Sequence, residues 1–195
     1  MWKWPSKAAV GKGIMGILGH RTWRRVLIGL SVVAIAMTLN LSAPAASAQL
    51  TATVDYAKSG NTLELLFELP NVLVSTIRLA AIEAPDREQV PWGPESQNCL
   101  ANLRNQIIRL ELVDEQPDAY NRLWAYGWLN RKLINSESLA AGCTYLADPT
   151  DQFSPYYQEL LYAQEQARIL GLGIWHPQNP LRETAKNFRE RSYSP

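Results

Sequence analysis

Between Ile77 and Asp86 the chain reads I-R-L-A-A-I-E-A-P-D, and no other stretch restricts the fold as much. Ile77, Leu79 and Ala81 alternate with Arg78 and Ala80, the period of a strand with one packed face and a single guanidinium leaving the other. Pro85 has a fixed φ and pushes Ala84 toward extended geometry, so the chain quits the sheet at a defined angle, with Glu83 and Asp86 near the exit. One arginine and two acids therefore meet at one strand end. Salt-bridged strand ends are ordinary, and only the remainder of the chain can say whether this one carries chemistry.

Ahead of it, Leu50–Tyr56 and Thr62–Leu69 alternate like strands, with Lys58-Ser59-Gly60-Asn61 as the turn and Gly60 free to take positive φ. Pro70-Asn71 then leads into a third strand over Val74–Ile82. Short turns between successive strands predict an antiparallel meander. Pro94 suits a first helical position, with Cys99, Leu100 and Leu103 at helical spacing after it. Ile107–Val113 is a fourth strand, with Arg109 and Glu111 opposite Ile108, Leu110 and Leu112. Leu123–Leu129 is a fifth, entered directly after Arg122; Trp124 and Trp128 share one of its faces, read as core. A short helix over Leu133–Ala141 stops at Gly142, and a longer one from Ser154-Pro155, with Ser154 as cap, runs to Leu170 before Gly171. Five strands with a helix before the fourth and two after the fifth predict a Greek-key barrel of the oligonucleotide/oligosaccharide-binding (OB) kind with three helices.

The first 48 residues hold six of the 19 Lys and Arg and none of the 18 acids, and the basic front precedes an apolar run from Val26 to Leu41. Ala46-Ser47-Ala48 has the small-x-small form of an export cleavage site, so residues 1–48 read as a signal peptide; an uncleaved membrane anchor is the alternative. Residues 49–176 read as the barrel domain and 177–195, rich in Pro, Asn, Arg and Glu, as a loosely ordered tail. Without the leader, 13 cations face 18 acids. A domain at net −5 does not steer polyanions over its whole surface, so phosphate recognition has to come from a few placed arginines. Export also permits a Cys99–Cys143 disulfide, with two buried free thiols as the other reading. Zinc-type Cys/His spacing, a Gly-rich phosphate loop and a Ser/His/Asp set are all missing from the sequence.

The order Gly60-Asn61-Thr62, I-R-L-A-A-I-E-A-P-D, W-G-P-E-S, D-A-Y-N-R-L-W-A-Y, L-I-N-S-E-S-L-A-A-G and A-Q-E-Q-A-R-I-L-G-L-G-I-W resembles the staphylococcal nuclease (thermonuclease) family over Thr51–Trp175. That resemblance implies a calcium-dependent phosphodiesterase on an OB-type barrel, acting on DNA or RNA, single-stranded by preference; with the N-terminal segment, the expectation is a monomer exported to the periplasm or medium or tethered to the membrane. In-line attack by water on a phosphodiester builds charge on the equatorial oxygens, so a metal and bidentate arginines have to meet it, and a carboxylate has to handle the water. The family's two arginines match Arg78 and Arg122. Its calcium ligands fall on Asn61, Glu83 and the carbonyl of Ala84, and its water-handling acid on Asp86.

Three of these positions depart from the family pattern, which has aspartates where Asn61 and Glu83 stand and a glutamate where Asp86 stands. Asn61 still offers calcium an oxygen, but one negative charge is lost, and weak metal affinity is the expectation. Asp86 is one methylene short, which withdraws its carboxylate by more than about an ångström where catalytic geometry tolerates about half that. The alternative reading is therefore a non-catalytic OB-type module that binds nucleotide, nucleic acid or a protein at the cell envelope through Arg78, Arg122 and aromatics such as Tyr120 and Tyr126.

Overall fold

The computed structural model describes residues 50–70, 72–147 and 154–193; residues 1–48, read above as a signal peptide or anchor, lie outside them. Five strands build the barrel: β1 (Leu50–Ser59), β2 (Thr62–Leu65), β3 (Thr76–Leu79), β5 (Ile107–Leu112) and β6 (Leu123–Leu129). Two-residue pieces, β4 (Ile82–Glu83), β7 (Lys132–Leu133) and β8 (Tyr145–Leu146), are added at its margins. The main sheet runs β3-β2-β1-β5-β6-β7, and a parallel pairing of β3 with β6 closes it. β1 is long enough to pair with β2 at one end and β5 at the other, and two register shifts against β2 let it curl around the barrel. Inward residues of alternate register fill the interior, among them Val54, Leu63, Ile77, Ile108 and Leu123, each with no solvent exposure. This is the closed five-strand barrel that the alternation predicts.

Four α-helices accompany it among the described residues, where three were expected: α1 (Trp92–Cys99), α2 (Ile134–Ala140), α3 (Tyr157–Leu170) and α4 (Ala185–Tyr193). α4 escapes a periodicity reading because it carries little apolar surface. Thr184 caps it, its Oγ1 accepting the Asn187 N–H at 3.3 Å, and buried Ala185 donates its N–H to Tyr145 Oη at 2.9 Å. α1 begins at Trp92, so Pro94 lies within the first turn, where a missing N–H costs nothing. α3 begins at Tyr157, and Ser154 does not cap it; the Ser154 hydroxyl holds the Tyr156 N–H and the Tyr126 hydroxyl. Gly171 ends α3 in the left-handed region at φ 64°, with the Leu172 N–H returning to the Ala167 carbonyl at 3.0 Å.

The stretch read as one strand over Val74–Ile82 is broken. Ala80 and Ala81 form a turn between β3 and β4, with Ala81 at φ 61°. A buried amide stabilises this turn: Asn135 Nδ2 donates to the Ala80 carbonyl at 2.8 Å, and its Oδ1 accepts the Gly127 N–H at 3.1 Å. β4 then pairs with β8, placing Glu83 opposite Tyr145. Trp124 and Trp128 share a face as their spacing requires, but that face is outside the barrel. Both are half-buried, with the Arg78 guanidinium 5.0 Å from the Trp124 ring and that of Arg109 4.6 Å from Trp128.

Candidate active site

Strand register creates the site. Thr62 stands opposite Arg78 across β2 and β3, and Arg78 stands beside Trp124 across β3 and β6. Arg122 precedes Trp124 by two residues and so belongs to the same outward face. The two arginines, 44 residues apart in the sequence, thus emerge side by side because neighbouring strands share a pleat. The turn at Ala80-Ala81 and the exit at Pro85 bring Glu83, Ala84 and Asp86 to the rim of the same open cleft, of about 860 Å³, and Asn61 lines it from the β1–β2 turn.

Close packing holds the walls together. A Cβ on Gly60 would lie 1.7 Å from Ser96 Oγ and 2.9 Å from the Ala84 Cβ, so the hairpin tip rests on α1 and on the strand exit. Gly60 is needed there for this approach and not, as the turn reading expects, for a positive φ. A Cβ on Gly93 would lie 2.1 Å from the Asp86 carbonyl, which puts the Asp86-Arg87 backbone directly on α1.

Arg78, Glu83, Asp86, Arg122 and Arg189 of the cleft each have an oppositely charged counterpart. Arg78 Nη2 contacts Glu83 Oε1; its side chain is 12% exposed and its Nε is buried with no hydrogen-bond partner. Arg122 is gripped by Asp118, whose Oδ2 accepts from Nε at 2.9 Å and Nη2 at 2.7 Å. The same carboxylate takes the Trp124 indole N–H at 3.2 Å, and its Oδ1 accepts the backbone N–H groups of Tyr120 at 2.9 Å and Arg122 at 3.0 Å. Burial pushes the Asp118 carboxyl up. The Arg122 guanidinium, the Tyr120 N–H and the Trp124 indole outweigh that and hold it at about 2, against an ordinary 3.8. Asp86 Oδ2 accepts from Arg189 Nη1 of α4 at 3.2 Å, and its Oδ1 accepts the Glu88 N–H at 3.2 Å.

Asn61, Arg78, Glu83, Ala84, Asp86 and Arg122 all line this cleft. Cys99 and Cys143 lie elsewhere, joined as a disulfide with Cα atoms 6.5 Å apart, between the end of α1 and the loop after α2. Tyr120 is at the cleft, 79% exposed, with the Arg122 guanidinium 4.9 Å from its ring. Tyr126 is not: it is buried, edge-on to Tyr156. Three contributors escaped the sequence reading. Asp118 was signalled by its i,i+4 spacing to Arg122, Trp124 by strand alternation from Arg122, and Arg189 by nothing local.

Among the described residues no three His, Cys, Asp or Glu side chains gather as a metal-ligating group. The donors at hand, Asn61 Oδ1, the Glu83 carboxylate and the Ala84 carbonyl, are all oxygen, which suits a hard divalent cation. Glu83 is the one acid of that set and shares its charge with Arg78. Asn61 Oδ1 already accepts from Ser59 Oγ at 3.1 Å and Thr62 Oγ1 at 3.3 Å, both hydroxyls that can rotate away.

An uncharacterized endonuclease of Haemophilus influenzae is 30% identical over 115 residues, covering 59% of this chain and 61% of the relative. A thermonuclease of Staphylococcus hyicus is 27% identical over 105 residues, covering 51% of this chain and 62% of the relative. The chain spans about three fifths of the length of these curated relatives. A family profile described as Staphylococcal nuclease homologue matches residues 76–177, just over half of the chain. Since that match runs from the first residue of β3 to just past the turn after α3, and so takes in the strands that set Arg78 beside Arg122, the chain belongs to the staphylococcal nuclease homologue family.

Proposed function

We propose that the cleft cleaves phosphodiester bonds of DNA or RNA, single strands by preference, with a weakly held divalent cation, calcium by family analogy. The observation that carries this reading is that Arg78 and Arg122, on one barrel face, line a single cleft together with Glu83 and Asp86. A phosphodiester laid between the arginines exchanges carboxylate partners for phosphate oxygens, which match the guanidinium fork equally well. Asn61, Glu83 and the Ala84 carbonyl would hold the cation, which supplies positive charge against the phosphoryl oxygens when bound. Asp86 orients the attacking water, and exposed Tyr120 offers a ring face to a neighbouring base. The apolar N-terminal run with its Ala-Ser-Ala site and the Cys99–Cys143 disulfide support export of the enzyme, which we take to act as a monomer. Among the described residues, no helix is long and apolar enough to cross a membrane.

The test is incubation of the protein with labelled single-stranded DNA at several millimolar calcium. The expected result is cleavage that chelator abolishes and that Arg122→Ala lowers by about 10²-fold or more. Product formation no faster than with Arg122→Ala overturns the enzymatic reading. One observation favours the second reading, a binding module without turnover: Arg78, Arg122 and Asp86 are each already matched by an opposite charge within the protein. That reading requires saturable binding that survives chelator with no product at any calcium concentration.

A further inference from the structure

On the reading of the cleft as a nucleic-acid site, on which this rests, we propose that Arg189 is a further phosphate-binding guanidinium beside Arg78 and Arg122, delivered by α4 from beyond the family-matched residues 76–177. The helix carries three cations, and two of them are matched within the C-terminal segment: Lys186 lies 4.0 Å from Glu190, and Arg191 pairs with Glu183 at 2.5 Å. Arg189 alone of the three crosses to the barrel, where it lines the cleft beside Asp86.

Its docking points are the residues that position the two site acids. Tyr145, which receives the Ala185 N–H, stands opposite Glu83 in the β4–β8 ladder. Gln89 spans the other connection: its Oε1 accepts the Asp86 N–H at 2.7 Å, and its Nε2 donates to the Glu183 carbonyl at 3.1 Å. α4 is therefore registered to the cleft rim through backbone hydrogen bonds, even though its own surface is mostly polar.

The chemistry follows from the donor count. A guanidinium has five N–H donors, and Arg189 uses one nitrogen, Nη1, on Asp86; no other protein partner is found among the described residues, and its side chain is half exposed. Arg122, by contrast, has both Nε and Nη2 committed to Asp118, and Arg78 is largely buried. Arg189 thus presents open donors to a phosphate while cancelling the charge of Asp86, which would otherwise repel it. In a domain with an acidic surplus, that local neutralisation decides whether a polyanion can approach this rim.

The test is fluorescence anisotropy of a labelled oligothymidylate of about twelve nucleotides with the full chain, in chelator, across a salt series. For Arg189→Gln the expected result is weaker binding and a log–log salt slope shallower by about 0.7, the share of one phosphate contact on a single strand. Lys186→Gln removes the same charge from the same helix outside the cleft and should keep the wild-type slope; Arg189→Lys should restore it, showing that the position and not the fold is at issue. A slope for Arg189→Gln equal to that of Lys186→Gln overturns the assignment, as does tighter binding, which would make Arg189 a latch over Asp86. A wild-type chain that binds no oligonucleotide overturns the nucleic-acid reading itself, and this assignment with it.

Discussion

Asn61 is 3% exposed, and its amide serves two directions at once: Nδ2 donates to the Ile82 carbonyl at 3.2 Å while Oδ1 faces two hydroxyls. A carboxylate there would gain charge for a cation and set an oxygen against the Ile82 carbonyl. Asn61→Asp is therefore expected to destabilise the chelated protein by about 1–3 kcal/mol and to be rescued by calcium, so that the calcium-induced rise in melting temperature exceeds that of the wild type. An equal rise in both proteins would remove Asn61 from the ligand set. Asp118 gives a pH signature. Its folded pKa lies at about 2, below the unfolded 3.8, so its contribution is fully present above about pH 4 and fades as pH falls toward 2. The urea midpoint of the wild type should exceed that of Asp118→Asn at pH 6, and the gap should close between pH 4 and about 2. A gap that persists unchanged to the acid end would show that the Arg122 grip is not a charge effect. Asp118 was legible only as half of an i,i+4 pair; that it binds five hydrogen-bond donors depends on the loop closing around it.

At the scale of elements, the β1–β2 hairpin carries Asn61 and is held against α1 by the missing side chain of Gly60. Gly60→Ala has to move Ser96 or the strand exit at Ala84, and is expected to lower stability by about 1–3 kcal/mol in chemical denaturation. Activity should fall further than stability explains, because Asn61 and Ala84 separate; a stable variant with full cleavage would show that the hairpin position is irrelevant to the site. The strands themselves were readable from alternation, since period-2 patterning marks a half-buried strand wherever it occurs. The break between β3 and β4 was not. Alanine at φ 61° is intrinsically unfavourable, and its turn persists because Asn135, more than fifty residues on, satisfies the Ala80 carbonyl.

For the molecule as a whole, the Cys99–Cys143 bridge ties the end of α1 to the loop after α2 across a sequence separation of 44 residues. Replacing both cysteines by serine frees the unfolded chain and is expected to cost about 2–4 kcal/mol, read as a lower denaturant midpoint. The charged residues of the cleft lie outside the bridged elements, though Pro94 and Gln97 of α1 line it, so cleavage at low temperature should be retained; loss of cleavage in a folded double variant would mean that the bridge shapes the site. The charge balance also belongs to this scale. The acidic surplus was countable in the chain, but that Arg78, Arg87, Arg122 and Arg189 converge on one cleft required the fold.

Short-range rules were enough for the barrel class, for α1 to α3 in outline, and for suspecting the acids at the exit of β3, because alternation, turn chemistry and the restrictions of proline all act within a few residues. Folding in three dimensions supplied the partners. Arg78 meets Trp124 through a parallel pairing that no local pattern announces, Glu83 is fixed by a two-residue ladder with Tyr145, and Arg189 reaches Asp86 from 103 residues away. A mostly polar helix such as α4 has little periodicity of its own to betray it. Its position is set by hydrogen bonds to groups that become neighbours only once the barrel has closed.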